Sequence, residues 1–384
     1  MICNRITLRD FRNIAEAEVG FCEGVNILLG ENAQGKTNLL EAIAYAALGR
    51  SFRTLHDEEM IRFGAEMAEV SVDFTDSQRR QNITVRLMKG KRRRIEQNRV
   101  KVGRVSDIVG QFRTVLFCPE HLSLIKDGPA ERRNFLDVAI SQLYPLYLRA
   151  LQRYNQILKQ RNQLIRNYED DPKTFRDTVE FWSVQLAHEA ALIAQYRYRY
   201  LLQARESVKE SFAEMTGGKE VPELEYDGSS GQAPEAYADA ALTEKTYREL
   251  LLTRHDREIG AGTTLWGIHK DDITIRLNGR EARLYASQGQ QRSLALALKL
   301  AEGEVCRRIC GEVPVFLLDD VFSELDSSRR AYLAEKIRGR QVIITSCEAQ
   351  SAVAERMIGV KNGAFFRLDA AEPQAATEKN REDP

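Results

Sequence analysis

The 384-residue sequence has no run of about 18 apolar residues, so nothing in it reads as a membrane span. Its first residues, MICNRITLRD, contain no apolar stretch of signal-peptide length. Neither charge sign is in excess: 56 Lys and Arg meet 56 Asp and Glu, so any surface for a polyanion must be local. Cysteine is sparse and scattered, at Cys3, Cys22, Cys118, Cys306, Cys310 and Cys347, with no C-x-x-C. Cys306 and Cys310 are four apart but have no further ligands nearby, which points to free thiols in a reducing compartment. No internal repeat is evident. These absences lead to the expectation of a soluble cytoplasmic protein without a membrane partner.

What is present is ordinary in bulk. Apolar residues make up 43% and charged residues 29%, enough for a sizeable core. The length suits two or three lobes. Alternating patterns predict strands over ITLRDF and AEAEVGF, with a turn at Arg12-Asn13, and over Glu69 to Phe74 and Asn82 to Met88. Lys89 to Lys101 reads as one hairpin turning near Gln97-Asn98, and Val115 to Cys118 as a short buried strand. Helical spacing then takes over from about Ala130 to Tyr168 and, after EDDP (169–172), from Phe175 to Phe212. Each run, if straight, would reach roughly 60 Å, as an antiparallel arm. Residues 216–241 read as loop, Thr243 to Ile259 as a returning helix, and Asp272 to Leu277 as a strand with an Asn278-Gly279 turn. Helix and buried strand alternate to Thr345, and the tail after Leu368 reads as disordered.

Three motifs carry chemistry. Gly30-Glu-Asn-Ala-Gln-Gly35-Lys36-Thr37 fits G-x-x-x-x-G-K-[ST], follows the apolar strand Val25 to Leu29 and precedes a helix from Thr37 to about Leu48. Glycines let backbone N–H groups close on phosphates, Lys36 reaches the β- and γ-phosphates, and the Thr37 hydroxyl can ligate Mg²⁺. The second motif is the apolar strand ending at Asp319-Asp320. Asp319 would hold the Mg²⁺ shell, and Asp320 would orient or deprotonate the attacking water. By itself such an Asp pair is a common turn; the phosphate loop gives it meaning. The third is Ser287-Gln288-Gly289-Gln290-Gln291 at the start of a helix, followed by Ser323-Glu324-Leu325-Asp326. The first resembles the LSGGQ signature of the ATP-binding-cassette (ABC) ATPases, with Gln288 in place of the first Gly. The second resembles the D-loop that crosses their dimer interface.

Further stretches narrow the resemblance: Phe11-Arg12-Asn13, Pro119-Glu120, Arg132-Arg133-Asn-Phe-Leu-Asp137, Gly267-Ile268-His269-Lys-Asp271-Asp272 and Leu317-Leu-Asp-Asp-Val-Phe-Ser-Glu-Leu-Asp326. Together the set resembles the bacterial RecF family. That resemblance implies an α/β fold: an ABC-type P-loop ATPase head with mixed sheets, related to SMC proteins, plus an inserted α-helical arm. It divides the chain into head residues 1–128, an arm at 129–259, head residues 260–368 and a tail at 369–384. It implies a slow ATPase that dimerises on ATP and Mg²⁺ and binds double-stranded or gapped DNA. It also implies action with RecR to load the RecA recombinase at the nucleoid.

The expected ATP-binding residues are Gly30, Glu31, Asn32, Ala33, Gln34, Gly35, Lys36, Thr37 and Asn38, with Ser287, Gly289 and Gln290 from a second subunit. Lys36 and Asp320 are the expected catalytic residues, Thr37 and Asp319 the metal ligands, and Ser287, Ser323 and Asp326 the dimer contacts. The sequence departs from the wider ABC pattern where water is handled. Pro119-Glu120 stands where a Gln is usual, Thr345-Ser346 where a His is usual, and Asp320 is one methylene shorter than the usual Glu. Within the RecF pattern, Ile268 replaces a Pro. Slow hydrolysis, with ATP serving mainly as a clamp, is the expectation.

Basic residues cluster between Arg86 and Arg104, and Arg92, Arg93, Arg94 and Lys101 are the candidate DNA contacts. Tyr196 to Tyr200 alternates Tyr and Arg, but alternate residues share no helix face, so arm packing is the better reading. Two other readings are a transporter's nucleotide-binding subunit, or another SMC-like ATPase, and a nucleoside kinase. The transporter subunit predicts a cleaner LSGGQ, a Gln and a His in the places noted above, and a shorter arm; the kinase lacks use for Ser287 and Asp326.

Overall fold

A computed structural model describes residues 1–348 and 354–368. The strands β1 (Ile2–Phe11) and β2 (Ile14–Gly20) form a hairpin, and β3 (Val25–Leu29) leads through the phosphate loop into helix α1 (Lys36–Leu48). Then follow β4 (Met67–Thr75), β5 (Arg80–Met88), β6 (Arg94–Gln97), β7 (Val100–Val102) and β8 (Thr114–Phe117). The helical insertion contains α2 (Pro129–Leu143), α3 (Pro145–Arg166), α4 (Pro172–Thr216), β9 (Pro222–Asp227), α5 (Ala240–Thr253) and α6 (His255–Ala261). The chain continues with β10 (Asp272–Leu277), β11 (Arg280–Glu281), α7 (Ala282–Tyr285), α8 (Gln288–Cys310) and β12 (Val315–Asp319). The described residues end with α9 (Val321–Glu324), α10 (Ser327–Lys336), β13 (Val342–Ser346), β14 (Arg356–Lys361) and β15 (Ala364–Leu368).

Two six-stranded sheets enclose α1. The first is antiparallel, in the order β2-β1-β4-β5-β6-β7. Its period-2 pattern turns Ile6, Leu8, Val70, Val72, Ile83 and Val85 inward, into one core with Leu39, Leu40 and Ile43 of α1. The second has the order β15-β14-β3-β13-β12-β8 and is parallel apart from β15. Its central strands β3, β12 and β13 are almost wholly buried, which is why they read as continuous apolar runs. The C-terminal ends of β3, β12, β13 and β8 therefore converge, the place where parallel sheets bind ligands.

Four sequence expectations are corrected. The run from Ala130 to Tyr168 is two helices, because Pro145 forces Tyr144 out of helical geometry (φ −131, ψ 100). Residues 216–241 are not all loop: β9 pairs antiparallel with β10, and β9, β10 and β11 make a third sheet. The returning helix breaks at Arg254. The basic stretch has two turns, one over 89–93 joining β5 to β6, and one at Asn98-Arg99 with φ 51 and 67. The tail expected to be disordered lies outside the described residues. Helix α4 meets expectation as one 45-residue helix, about 67 Å long. The pairs Tyr147–Arg197, Arg153–Glu189 and Arg161–Ser183 run in opposite senses, so α3 and α4 are antiparallel. Leu186, Ile193 and Leu201 of α4 share a core with Leu294, Leu298 and Ala301 of α8. The arm thus rests along the helix that begins at Ser287.

Candidate nucleotide site and dimer surface

The phosphate loop turns between β3 and α1 with Gly35 at φ 115, a conformation that only glycine adopts freely. A Cβ at Gly30 would lie 2.3 Å from the carbonyl oxygen of Val360, so this position too requires glycine. Lys36 is buried and its Nζ donates to the carbonyls of Gly30 and Glu31 (3.0 Å) and to Cys347 Sγ (3.3 Å). Phosphate oxygens are stronger acceptors for an ammonium than these groups. Neighbours fix the rest of the loop. Cys347 Sγ also donates to Asn32 Oδ1 (3.0 Å). Gln34 takes hydrogen bonds from Asn362 N (2.6 Å) and Gly363 N (2.8 Å) in the β14–β15 turn. Asn13 Nδ2 reaches Ala33 O (3.4 Å), and Asn38 donates to Asn13 Oδ1 (2.8 Å).

The metal candidates meet. Thr37 Oγ1 donates to Asp319 Oδ1 at 2.8 Å. Two adjacent ligands of an octahedral Mg²⁺ lie roughly 2.9 Å apart, since each is about 2.05 Å from the ion. The two oxygens already have that spacing, so the pair fits Mg²⁺. Among the described residues, no group of three His, Cys, Asp or Glu side chains is arranged to hold a metal alone. The cation would complete its shell with phosphate oxygens and water. Burial raises the Asp319 pKa above the usual carboxylate value, and the nearby charges of Glu120 and Asp320 push the same way. Hydrogen bonds from Thr345 and Thr37 oppose that rise. Asp320 stands at φ 50 in the N-cap position of α9, where it turns the chain away from the strand without a side-chain capping hydrogen bond. Pro119-Glu120 follows β8, the neighbour of β12, so Glu120 faces the site where a neutral Gln is usual.

Sequence reading missed Glu41. It is fully buried on α1 and receives Arg12 (2.7 and 2.9 Å), Arg53 (3.2 Å) and Ser51 (2.5 Å). Its only signal was a lone acid in an apolar helix.

Within one chain, Ser287 is turned to a different task. Its hydroxyl accepts from Gln290 N (3.3 Å), and Gln290 Oε1 accepts from Ser287 N (2.6 Å), a capping box opening α8. Arg329 of α10 joins this helix to the D-loop. It donates to Gly289 O (2.8 Å) and Ser293 Oγ (2.7 Å) and pairs with Asp326, which caps α10. Arg292 reaches Glu324 O at 2.7 Å, and Ser323 Oγ donates to Asp320 O at 2.7 Å. Ser287, Gly289, Ser323 and Asp326 therefore form one continuous surface, linked through Asp320 to the carboxylate cluster.

The basic stretch divides. Arg93 donates from Nη1 to Gly49 O and Tyr45 OH, both 2.7 Å, and pairs with Asp57 (3.3 Å). It clamps the C-terminus of α1 and is not a free phosphate contact. Arg86 is neutralised by Glu69 and Glu96. Lys101 lies opposite Glu96 on the sheet. Lys91, Arg92, Arg94, Arg99, Lys101 and Arg104 remain exposed.

His269 and Asp271 have structural partners. Tyr154 OH lies 2.6 Å from His269 Nδ1, and Nε2 lies 3.0 Å from Thr264 O; burial lowers the imidazole pKa to about 4. Asp271 is fully buried and accepts from Tyr226 OH, Ser229 N (2.7 Å) and Tyr247 OH (3.2 Å). Both fasten the helical insertion to β10.

A family model described as the RecF/RecN/SMC N terminal domain matches residues 2–364. A DNA replication and repair protein RecF from Acetivibrio thermocellus is 35% identical over 370 residues, covering 96% of this chain and 99% of its own. The structure of the recombination mediator protein RecF-ATPrS in the RecFOR pathway superposes with a TM-score of 0.90 at 33% identity, covering 96% of this chain and 98% of that one. The corresponding RecF-ATP structure gives 0.88 at the same identity, covering 96% and 97%.

Proposed function

The chain belongs to the RecF family of ABC-type ATPases, and on that premise we propose that it is an ATP-dependent DNA clamp of recombinational repair. Two copies close around two ATP molecules and Mg²⁺, hold double-stranded or gapped DNA with little sequence preference, and act with RecR to help load RecA. The working place is the cytoplasm, at the nucleoid. Mg²⁺, when bound, offsets the charge that develops on the phosphates. Lys36 holds the β- and γ-phosphates, Asp320 orients the attacking water, and Ser287 of the second copy closes over the γ-phosphate. Residues 129–259 act as the arm between the two halves of the head.

The observation that carries this reading is the Arg329 bridge. It ties Gly289, two residues after the signature serine, to Asp326 of the D-loop, so that both stretches lie on one exposed surface. A transporter subunit is disfavoured by the long α4, and a nucleoside kinase would have no use for that surface. Hydrolysis is slow on this account, because a carboxylate at Glu120 and a shortened Asp320 flank the water position. Retention on fluorescent gapped duplex DNA tests the proposal. ATP should increase retention for the parent and not for Lys36→Arg; binding that is equal with and without ATP would refute a clamp.

A further inference from the structure

Helix α8 carries two cysteines in its last turn and a half, at the end opposite Ser287 and roughly 30 Å from it. Cys306 and Cys310 are four residues apart and so share one helix face, with Cα atoms about 6.2 Å apart. A disulfide accommodates about 4.4–6.8 Å between Cα atoms. Cys306 is buried, and Cys310, the last residue of the helix, is half-buried. Arg113, just before β8, stands beside the pair, with its guanidinium 3.5 Å from the Glu312 carboxylate and 3.4 Å from Gln142 O. Tyr144 at the end of α2 also stands near Cys310. A hydrogen bond from Cys306 and the charge of Arg113 lower the Cys310 pKa to about 7, against burial and Glu312, which raise it. The same contact between the thiols, and burial, push Cys306 the other way. A thiol at the Cys310 value is about half ionised at neutral pH, against a few per cent for an ordinary cysteine. A cavity of about 10 Å³, room for one water molecule, opens beside Cys306 and is lined by Arg113, Thr114, Gln142 and Glu302.

We propose that Cys306 and Cys310 form a peroxide-responsive dithiol, which closes reversibly into a disulfide and loosens the join between α8 and β12. The Cys310 thiolate attacks one peroxide oxygen. An S–O bond forms, the O–O bond breaks, and the departing hydroxide takes up a proton to become water. Cys306 then attacks the sulfenic acid on Cys310. An S–S bond forms, the S–O bond breaks, and the Cys306 proton departs with the hydroxyl as a second water, for which the adjoining cavity has room. The two sulfurs give up two electrons and the peroxide accepts them. In a reducing compartment such a pair is open at rest and closes transiently. Closure draws the two Cβ atoms from about 5–6 Å to about 3.8 Å, so the last turn of α8 must distort. Gly311 ends that turn at φ 72, its N–H on Arg307 O (2.9 Å). The next two residues are anchored beside the first sheet: Glu312 accepts from Ser77 N (2.5 Å) and Val313 O from the amino terminus of Met1 (3.2 Å). Distortion of the turn pulls on both anchors.

The test exposes the reduced full chain to hydrogen peroxide, alkylates it with iodoacetamide and locates each cysteine by peptide mass spectrometry. In the parent, Cys306 and Cys310 should escape alkylation together, as linked peptides lighter by two hydrogens, and dithiothreitol should return both. Cys306→Ser should stop Cys310 at the sulfenic acid, where dimedone traps it. Cys310→Ser should leave Cys306 reduced at a peroxide concentration at least about tenfold higher. Arg113→Gln should raise the pH at which Cys310 alkylation is half-maximal, and Arg113→Lys should restore it, a response that a merely packed thiol does not give. The linked parent should melt below the reduced parent, and peroxide should not move the melting temperature of Cys310→Ser. Oxidation of Cys310 that leaves Cys306 free in the parent would overturn the proposal, as would oxidation confined to the exposed Cys347. So would a Cys310 alkylation profile indifferent to Arg113→Gln, or a linked form that melts like the reduced one. The linkage and its melting temperature are read on the parent, so a variant that fails to fold leaves the test intact.

Discussion

Thr345 and Asp319 stand side by side at the ends of adjacent parallel strands, with Thr345 Oγ1 donating to Asp319 Oδ1 at 2.8 Å. The same hydroxyl accepts from Asp320 N at 2.9 Å, so one side chain sets the positions of both acids. Replacing it by the isosteric Val removes a hydrogen bond that holds the Asp319 pKa down against burial. The acid limb of the pH profile for ATP hydrolysis should then move to higher pH. An unmoved limb would take Asp319 out of the titrating step.

Burial raises Asp319 above its ordinary pKa, so the folded chain binds this proton more tightly than the unfolded chain. The resulting stability is present at acid pH and is lost as pH rises through the folded value. At neutral pH the ionised group therefore costs stability. Asp319→Asn should raise the nucleotide-free melting temperature, by about 2 °C, while abolishing Mg²⁺-dependent hydrolysis. Calorimetry showing a lower melting temperature would contradict this.

Arg92 and Arg93 are neighbours with different work. Arg92→Ala should leave stability unchanged, weaken binding to every DNA sequence alike and lower the salt slope by about one. Arg93→Ala removes charged hydrogen bonds to Gly49 and Tyr45 and should cost about 2 kcal/mol in denaturant unfolding. Identical behaviour of the two variants would erase the distinction.

Glu41→Ala should destabilise by about 3 kcal/mol, because Arg12 keeps its charge in a largely buried place without its partner. The figure sits at the low end because Arg53 is 43% exposed and can turn to water. Urea unfolding measures it.

How far the sequence discloses this site follows from how its parts are written. Gly30 to Thr37, Asp319-Asp320, Ser287 to Gln290 and Ser323 to Asp326 are short contiguous motifs on strand ends and helix starts. Local pattern was enough to find them. What escaped depends on contacts between distant residues. Strand β14 pairs with β3 across some 330 positions and carries Arg356, Gly359 and Lys361, so no alternation marks it. Strand β9 does alternate, with Leu224 and Tyr226 against Glu223, Glu225 and Asp227, but it is only six residues inside a Gly- and Ser-rich stretch, and its partner β10 lies some 50 positions on. Arg93 looked like its neighbours because a charge run does not say which guanidinium meets Gly49.

The central claim is that ATP joins two copies through Ser287. Sedimentation of the parent and of Ser287→Arg, each with and without ATP and Mg²⁺, tests it most directly. The account predicts dimers only for the parent with ATP, and monomers for Ser287→Arg although it still binds ATP. Parent dimers indifferent to ATP, or ATP-driven dimers of Ser287→Arg, would contradict it.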